Sequence, residues 1–159
     1  MNTPNLLDAI RIVKENERLA SITYANAAKK TNPLGRELFI QLSEFEKYHY
    51  DQLTALEKSL EESGQFINYQ GKALILPPKL EIKFAEVPEL KSLMEIITEA
   101  KKIEKQAEKA YADLADQLED PQGHAMFVRL SEEEHMHYLL LSDAFWSLNQ
   151  TAVWKYSRP

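Results

Sequence analysis

The sequence predicts an all-α protein, four long helices arranged as two hairpins and joined by one long crossover. Composition points there first: 159 residues rich in Ala, Leu, Glu and Lys, with only four glycines, favour helix over strand. Prolines preceded by capping residues recur where helices ought to begin. Apolar residues then follow at spacings of three and four, the period of a helix with one buried face.

The elements follow in order. Thr3-Pro4 opens a first helix over 4–30, which breaks at Thr31-Asn32. Asn32-Pro33 opens a second over 33–62, which stops at Ser63-Gly64. Pro88, after Glu86-Val87, gives a less complete form of the same signal for a third helix over 88–119, and Asp120-Pro121 opens a fourth over 121–149. Ile10, Val13, Ala20, Tyr24 and Ala27 mark the inner face of the first helix, and Leu93, Ile97, Ala100, Ala107, Tyr111 and Leu114 that of the third. The whole chain reads as one domain: hairpin 4–62, crossover 63–87, hairpin 88–149 and tail 150–159.

The crossover holds Gly71, Pro77-Pro78 and the alternating Leu80-Glu81-Ile82-Lys83-Phe84, which reads as extended chain. Loops longer than about 12–15 residues usually have a function. Here it is to carry the chain along the bundle, so that the second hairpin starts at the opposite end; at about 3.3 Å per residue it easily spans a helix of about 45 Å. The same reach would let one hairpin dock on a second copy, so a homodimer, swapped or not, is the expected assembly. Trp154 and Tyr156 in the tail are expected to pack on the bundle end or on that partner.

Several function classes are excluded. Without cysteine there are no disulfides, thiolate metal sites, iron–sulfur clusters or thiol nucleophiles. A net charge of −6 argues against a broad nucleic-acid footprint. No stretch resembles a signal peptide or reaches the ~18–20 apolar residues of a membrane span, so a cytoplasmic protein is expected. Gly71-Lys72 lacks the rest of a phosphate-binding loop.

The two hairpins repeat one another. Leu42-Ser43-Glu44-Phe45-Glu46-Lys47-Tyr48-His49-Tyr50 and Leu130-Ser131-Glu132-Glu133-Glu134-His135-Met136-His137-Tyr138 share Leu, Ser, Glu, a Glu-x-x-His pair and the closing Tyr. Upstream of each, Glu17 and Glu104 open the pattern Glu-x-x-Ala-x-x-x-Tyr-Ala-x-x-Ala. The register shift is 87 residues for the first pattern (17 to 104) and 88 for the second (46 to 134), as one residue of loop difference would leave. Residues three apart share a helix face, so each Glu and its His point the same way. Glu17, Glu46 and Glu134 each lie 13 residues beyond their helix-opening proline, and Glu104 lies 16 beyond Pro88. Four carboxylates would therefore meet at one height. Buried together they are prohibitive unless compensated, and no Lys or Arg occupies a matching inward position. Two divalent cations would balance them, and mixed carboxylate and imidazole donors suit iron or manganese. His135, two residues from His137, turns away and is expected in solvent; Phe127, Phe145 and Trp146 read as core or interface. Tyr24 and Tyr111 read equally as core or as phenols hydrogen-bonded to a ligating carboxylate.

One Glu from each of two helices and Glu-x-x-His from each of the other two is a known four-helix ligand set. Over about residues 4–149 the chain resembles the ferritin-like domain of rubrerythrins and their erythrin relatives. The resemblance implies a ferritin-like fold with a non-haem di-iron centre, or one holding manganese or mixed metals, with ligands Glu17, Glu46, His49, Glu104, Glu134 and His137. Glu46 and Glu104, or their symmetry mates, would bridge. It further implies reduction of hydrogen peroxide or dioxygen; the alternative within the superfamily is ferroxidase-type iron handling. Two departures bear on this. No cysteine-ligated rubredoxin domain is present, so electrons would come from a separate donor protein. Ala107 stands one turn after Glu104, where rubrerythrins commonly carry an additional glutamate, so their exchange of iron between a histidine and that glutamate does not carry over.

Overall fold

The structure, a computed structural model, describes residues 2–75, 79–83, 90–151 and 153–157. Four helices account for nearly all of it: α1 (Thr3–Ala28), α2 (Pro33–Ser63), α3 (Leu90–Gln117) and α4 (Pro121–Thr151). The all-α four-helix bundle is thus as expected, with small shifts at the ends. The cap of α1 is Asn2, not Thr3: its backbone is extended and its side chain accepts from the Asn5 N–H at 3.0 Å. Asn32 caps α2 in the same way, accepting from the Gly35 N–H at 2.9 Å. Asp120 caps α4 through the N–H groups of Gln122 and Gly123. Gly64 ends α2 in the left-handed region, φ 71°, which a glycine adopts without steric cost. Pro88 lies outside the described residues. Removing one buried cap, Asn32→Ala, is expected to lower stability by about 1 kcal/mol, read from the midpoint of urea unfolding.

Contacts fix the direction of every helix. Lys14 pairs with Glu57 and Ser21 with Ser43, so α1 and α2 are antiparallel; Ser131 with Glu108 and His124 with Ala115 show the same for α3 and α4. Between hairpins, Tyr24 meets Glu104 while Tyr111 meets Glu17, so α1 opposes α3. His49 meets Glu134 and His137 meets Glu46, so α2 opposes α4. It follows that α2 and α3 are parallel, and the chain between them must climb the bundle. It does so against α2: Gln65 accepts from Ser59, Gln70 from Tyr48, and Ile75 exchanges hydrogen bonds with Gln41.

The extended stretch expected near Leu80 is β1 (Lys79–Lys83). It pairs antiparallel with β2 (Val153–Ser157), with Leu80 opposite Tyr156 and Ile82 opposite Trp154. The tail thus carries a strand that the sequence reading did not anticipate. Its backbone completes a two-stranded ribbon with the crossover, β1 lying along α2 and β2 along α4.

The interior divides in two. Leu38, Phe39, Leu42, Leu93, Ile97 and Leu141 centre one apolar cluster, and Ile10, Leu53, Leu56, Tyr111, Phe127 and Leu130 centre the other. All the apolar positions predicted for the inner faces of α1 and α3 are buried. Phe127 is core, whereas Trp146 is 62% exposed. Among the described residues no helix is long and apolar enough to cross a membrane.

The duplication accounts for residues beyond the charged ones. Ser43 donates to Ser21 O at 2.8 Å, and its counterpart Ser131 donates to Glu108 O at 2.9 Å, tying each hairpin at the same height. Lys14 lies over the Tyr50 ring and Lys101 over Tyr138. Leu42 and Leu130 each sit in one of the two apolar clusters.

Candidate metal centre

Between the two apolar halves lies a polar waist. Glu17 on α1, Glu46 and His49 on α2, Glu104 on α3, and Glu134 and His137 on α4 converge there, each no more than 2% exposed. One chain supplies all six. The spacing explains the convergence: Glu46 and His49, like Glu134 and His137, are three apart and share a face, and the antiparallel packing of α2 on α4 sets each His opposite the other helix's Glu.

Both imidazoles turn Nδ1 inward. His49 Nδ1 lies 2.6 Å from Glu134 Oε1, 3.4 Å from Glu46 Oε2 and 3.5 Å from Glu17 Oε1. His137 Nδ1 lies 2.8 Å from Glu46 Oε1, 3.6 Å from Glu104 Oε1 and 3.9 Å from Glu134 Oε2. The donor atoms form two overlapping groups, Glu17, Glu46, His49 and Glu134, and Glu46, Glu104, Glu134 and His137, within each of which they lie at most 4.8 Å apart. Glu46 and Glu134 belong to both groups. These two carboxylates are shared between the groups, whereas Glu17 and Glu104 each belong to one.

His137 Nδ1 and Glu46 Oε1 are hydrogen-bonded, while other atoms crowd the centre without pairing. Glu17 Oε2, Glu46 Oε2, Glu104 Oε2, Glu134 Oε1 and His49 Nδ1 are buried without a hydrogen-bond partner; the 2.6 Å approach of His49 to Glu134 brings the atoms close without hydrogen-bond geometry. Buried polar atoms left unpaired cost about 1–3 kcal/mol each, more when charged. Among the described residues no Lys or Arg pairs with any of the four carboxylates. Oxygen-rich donor sets with one imidazole per group fit iron or manganese.

Protons take up the strain when no cation does. Burial, reinforced by the neighbouring Glu104 and Glu17 charges, pushes Glu46 and Glu134 well above the carboxylate range. Burial also acts to raise Glu104, but hydrogen bonds from Glu134 and the adjacent His137 charge outweigh it and bring Glu104 down to about 2. Glu17 is likewise lowered, burial being outweighed by His49 and hydrogen bonds. Burial opposes the charged imidazoles, yet Glu17 and Glu134 raise His49 well above its usual range, and Glu104 and Glu46 bring His137 to about 10. In the metal-free waist burial and crowding thus favour the protonated forms of Glu46 and Glu134, and the neighbouring carboxylates favour the charged forms of His49 and His137.

Tyr24 and Tyr111 serve as core and as partners at once. Both are fully buried, and each donates its phenol across the bundle, Tyr24 to Glu104 Oε1 and Tyr111 to Glu17 Oε1. Burial and those carboxylates push both phenols well above 10, so they keep their protons. His135 is half-exposed and pairs with Glu108 at 3.0 Å, away from the waist. Sequence reasoning missed Glu133, a buried carboxylate 3.5 Å from His49 Nε2. Its signal was available: in the repeat Glu133 falls on Phe45, one of three positions at which the two copies differ, and the one where an apolar residue is replaced by a carboxylate.

An antiparallel helical bundle around a duplicated Glu/His waist is the class that fold and site define. No protein-family model matches the chain, and no curated protein matches it. Among solved structures it is similar to a hypothetical protein from Pyrococcus furiosus, with a TM-score of 0.69 and 22% identity over 91% of this chain and 90% of that one. At that identity the likeness concerns the fold.

Proposed function

We propose that the waist is a ferritin-like di-metal centre and that the protein is a non-haem di-iron oxidoreductase of rubrerythrin type. The observation that carries this reading is the set of buried, unpaired donor atoms in two overlapping groups of four residues. Two iron ions held there would supply the two electrons that, with two protons, convert hydrogen peroxide to two waters, or would pass electrons to dioxygen.

The chain's own residues set the conditions. Glu17 and Glu104 are oriented by Tyr111 and Tyr24, which fixes the outer carboxylates as outer-sphere partners commonly do. Glu46 and Glu134 are free of such phenol contacts among the described hydrogen bonds and face both imidazoles. The apolar clusters above and below exclude water and strengthen each electrostatic contact in the waist. Ala20 and Ala107, both buried, flank it symmetrically and offer no further carboxylate. With no cysteine in the chain, electrons come from a separate donor protein.

A second reading, iron itself as substrate in a ferroxidase-type reaction, draws on a groove of about 970 Å³ beside α4. Its lining brings the carboxylates Glu108, Glu132, Glu133 and Asp143 together with Lys72, Arg129 and His135 and ends at His137, a mixed-charge approach that leads to a waist histidine. Iron-loaded protein given peroxide and a reductant separates the two. Sustained peroxide consumption without net iron uptake supports the oxidoreductase, and stoichiometric iron accumulation without turnover supports iron handling.

A further inference from the structure

The two halves of the waist agree in all six donor residues and both tyrosines, and differ beside the histidines. Phe45 on α2 corresponds to Glu133 on α4 through the 88-residue repeat. Phe45 stands edge-on to His137, with ring centroids 4.4 Å apart, and offers no acceptor. Glu133, 4% exposed, instead places Oε2 3.5 Å from Nε2 of His49, the ring nitrogen facing away from the waist.

Glu133 is itself held from the crossover. The Tyr69 hydroxyl donates to Oε1 at 2.8 Å, the Lys72 N–H reaches Oε1 at 3.3 Å, and Arg129 Nε lies 3.5 Å from the same oxygen. Gly71 makes this fit possible, since a Cβ there would collide with the Arg129 guanidinium. The crossover segment 65–75 runs along α2. A ligating histidine whose outer nitrogen donates to a carboxylate is fixed in ring orientation and made more basic, and loss of such a partner typically costs about 10–100-fold in metal affinity.

We infer that Glu133, clamped by the crossover, is a positioning residue that makes the two metal positions unequal, so that the one bordered by His49 fills first and more tightly than the one bordered by His137. This rests on the di-metal reading above and deepens it: the symmetry of the repeat is broken beside His49, and the protein can hold one metal, or two different ones in a fixed order.

The test uses the full chain, stripped of metal, and cobalt(II) alone as the probe. Calorimetric titration is expected to show two binding events, and crystals grown with one equivalent are expected to show anomalous density predominantly at the His49 position. Glu133→Gln, which keeps the shape and removes the charge, should weaken the tighter event about 10–100-fold and leave the weaker one unchanged. Tyr69→Phe, which removes the hydroxyl shared between both oxygens of Glu133 and no hydrogen bond to the waist, should shift it in the same direction by less. Equal occupancy of the two positions in the wild type, or an unchanged titration in Glu133→Gln, overturns the inference while leaving a di-metal centre in place. Failure of the wild type to bind cobalt at all overturns the di-metal reading beneath it.

Discussion

Glu134→Ala is expected to abolish tight binding of both metal equivalents, whereas Glu17→Ala or Glu104→Ala should each weaken chiefly one. The asymmetry follows from membership: Glu134 contributes to both donor groups, Glu17 and Glu104 to one each. If losing an outer partner of a ligand costs about 10–100-fold in affinity, losing a ligand shared by both positions should cost more than about 100-fold at each. His137→Ala should reduce the content of protein purified from iron-replete cells towards one equivalent. The helices should survive, because the apolar clusters on either side of the waist do not include these residues. Elemental analysis beside far-ultraviolet circular dichroism checks both halves of the prediction. Full metal content in Glu134→Ala would remove Glu134 from the ligand set.

The second large effect is with pH, and it has opposite signs with and without metal. In the metal-free protein His49 and His137 have raised values, so the stability they contribute is fully present below the ordinary 6.5 and is lost as pH rises, through about 10 for His137. Glu46 and Glu134 act in the same sense: the folded chain keeps protons that the unfolded chain releases above 4.5, so stability falls as pH rises beyond that. Glu17 and Glu104 are depressed, and their contribution is present above 4.5 and lost in acid, through about 2 for Glu104. The metal-free bundle should accordingly be most stable near 4.5, losing stability in acid through Glu17 and Glu104 and on the alkaline side through Glu46 and Glu134 and then the two imidazoles. Metal binding competes with protons that Glu46, Glu134, His49 and His137 hold more tightly than usual, because ligands coordinate deprotonated. Its affinity, and the rise in Tm that it produces, should then increase with pH. Calorimetry in buffers of differing ionisation enthalpy should find net proton release on metal binding near pH 7. Proton release near zero would contradict the assignment of these four groups.

Much of this was legible in the sequence because it is local or periodic. Cap and proline pairs located Asn32-Pro33 and Asp120-Pro121, and the Glu-x-x-His spacing placed donor pairs on one face of α2 and of α4. The duplication supplied what periodicity alone could not, a reason to bring four isolated glutamates to one height. What escaped reading depends on contacts between distant segments. Ile82 and Trp154 are partners in a ribbon, yet nothing near either names the other. Glu133 sits within a run of three glutamates, and its distinction lies in Tyr69 and Lys72 reaching it from the crossover. The choice of Glu46 and Glu134 as shared carboxylates depends on the direction in which α2 opposes α4, which the chain order leaves open. Asn2 displaced Thr3 as the cap of α1 because either side chain could accept the hydrogen bond, and the backbone turned one residue earlier.

The central claim is that this waist holds two metal ions. Anomalous diffraction above the iron edge, from crystals of protein purified without added metal and then loaded with iron(II), tests it most directly. Two peaks are expected within the waist, one bordered by Glu17, Glu46, His49 and Glu134 and the other by Glu46, Glu104, Glu134 and His137. An ordered bundle with no anomalous peak among these six residues, from protein that binds less than one equivalent and folds unchanged in chelator, would contradict it.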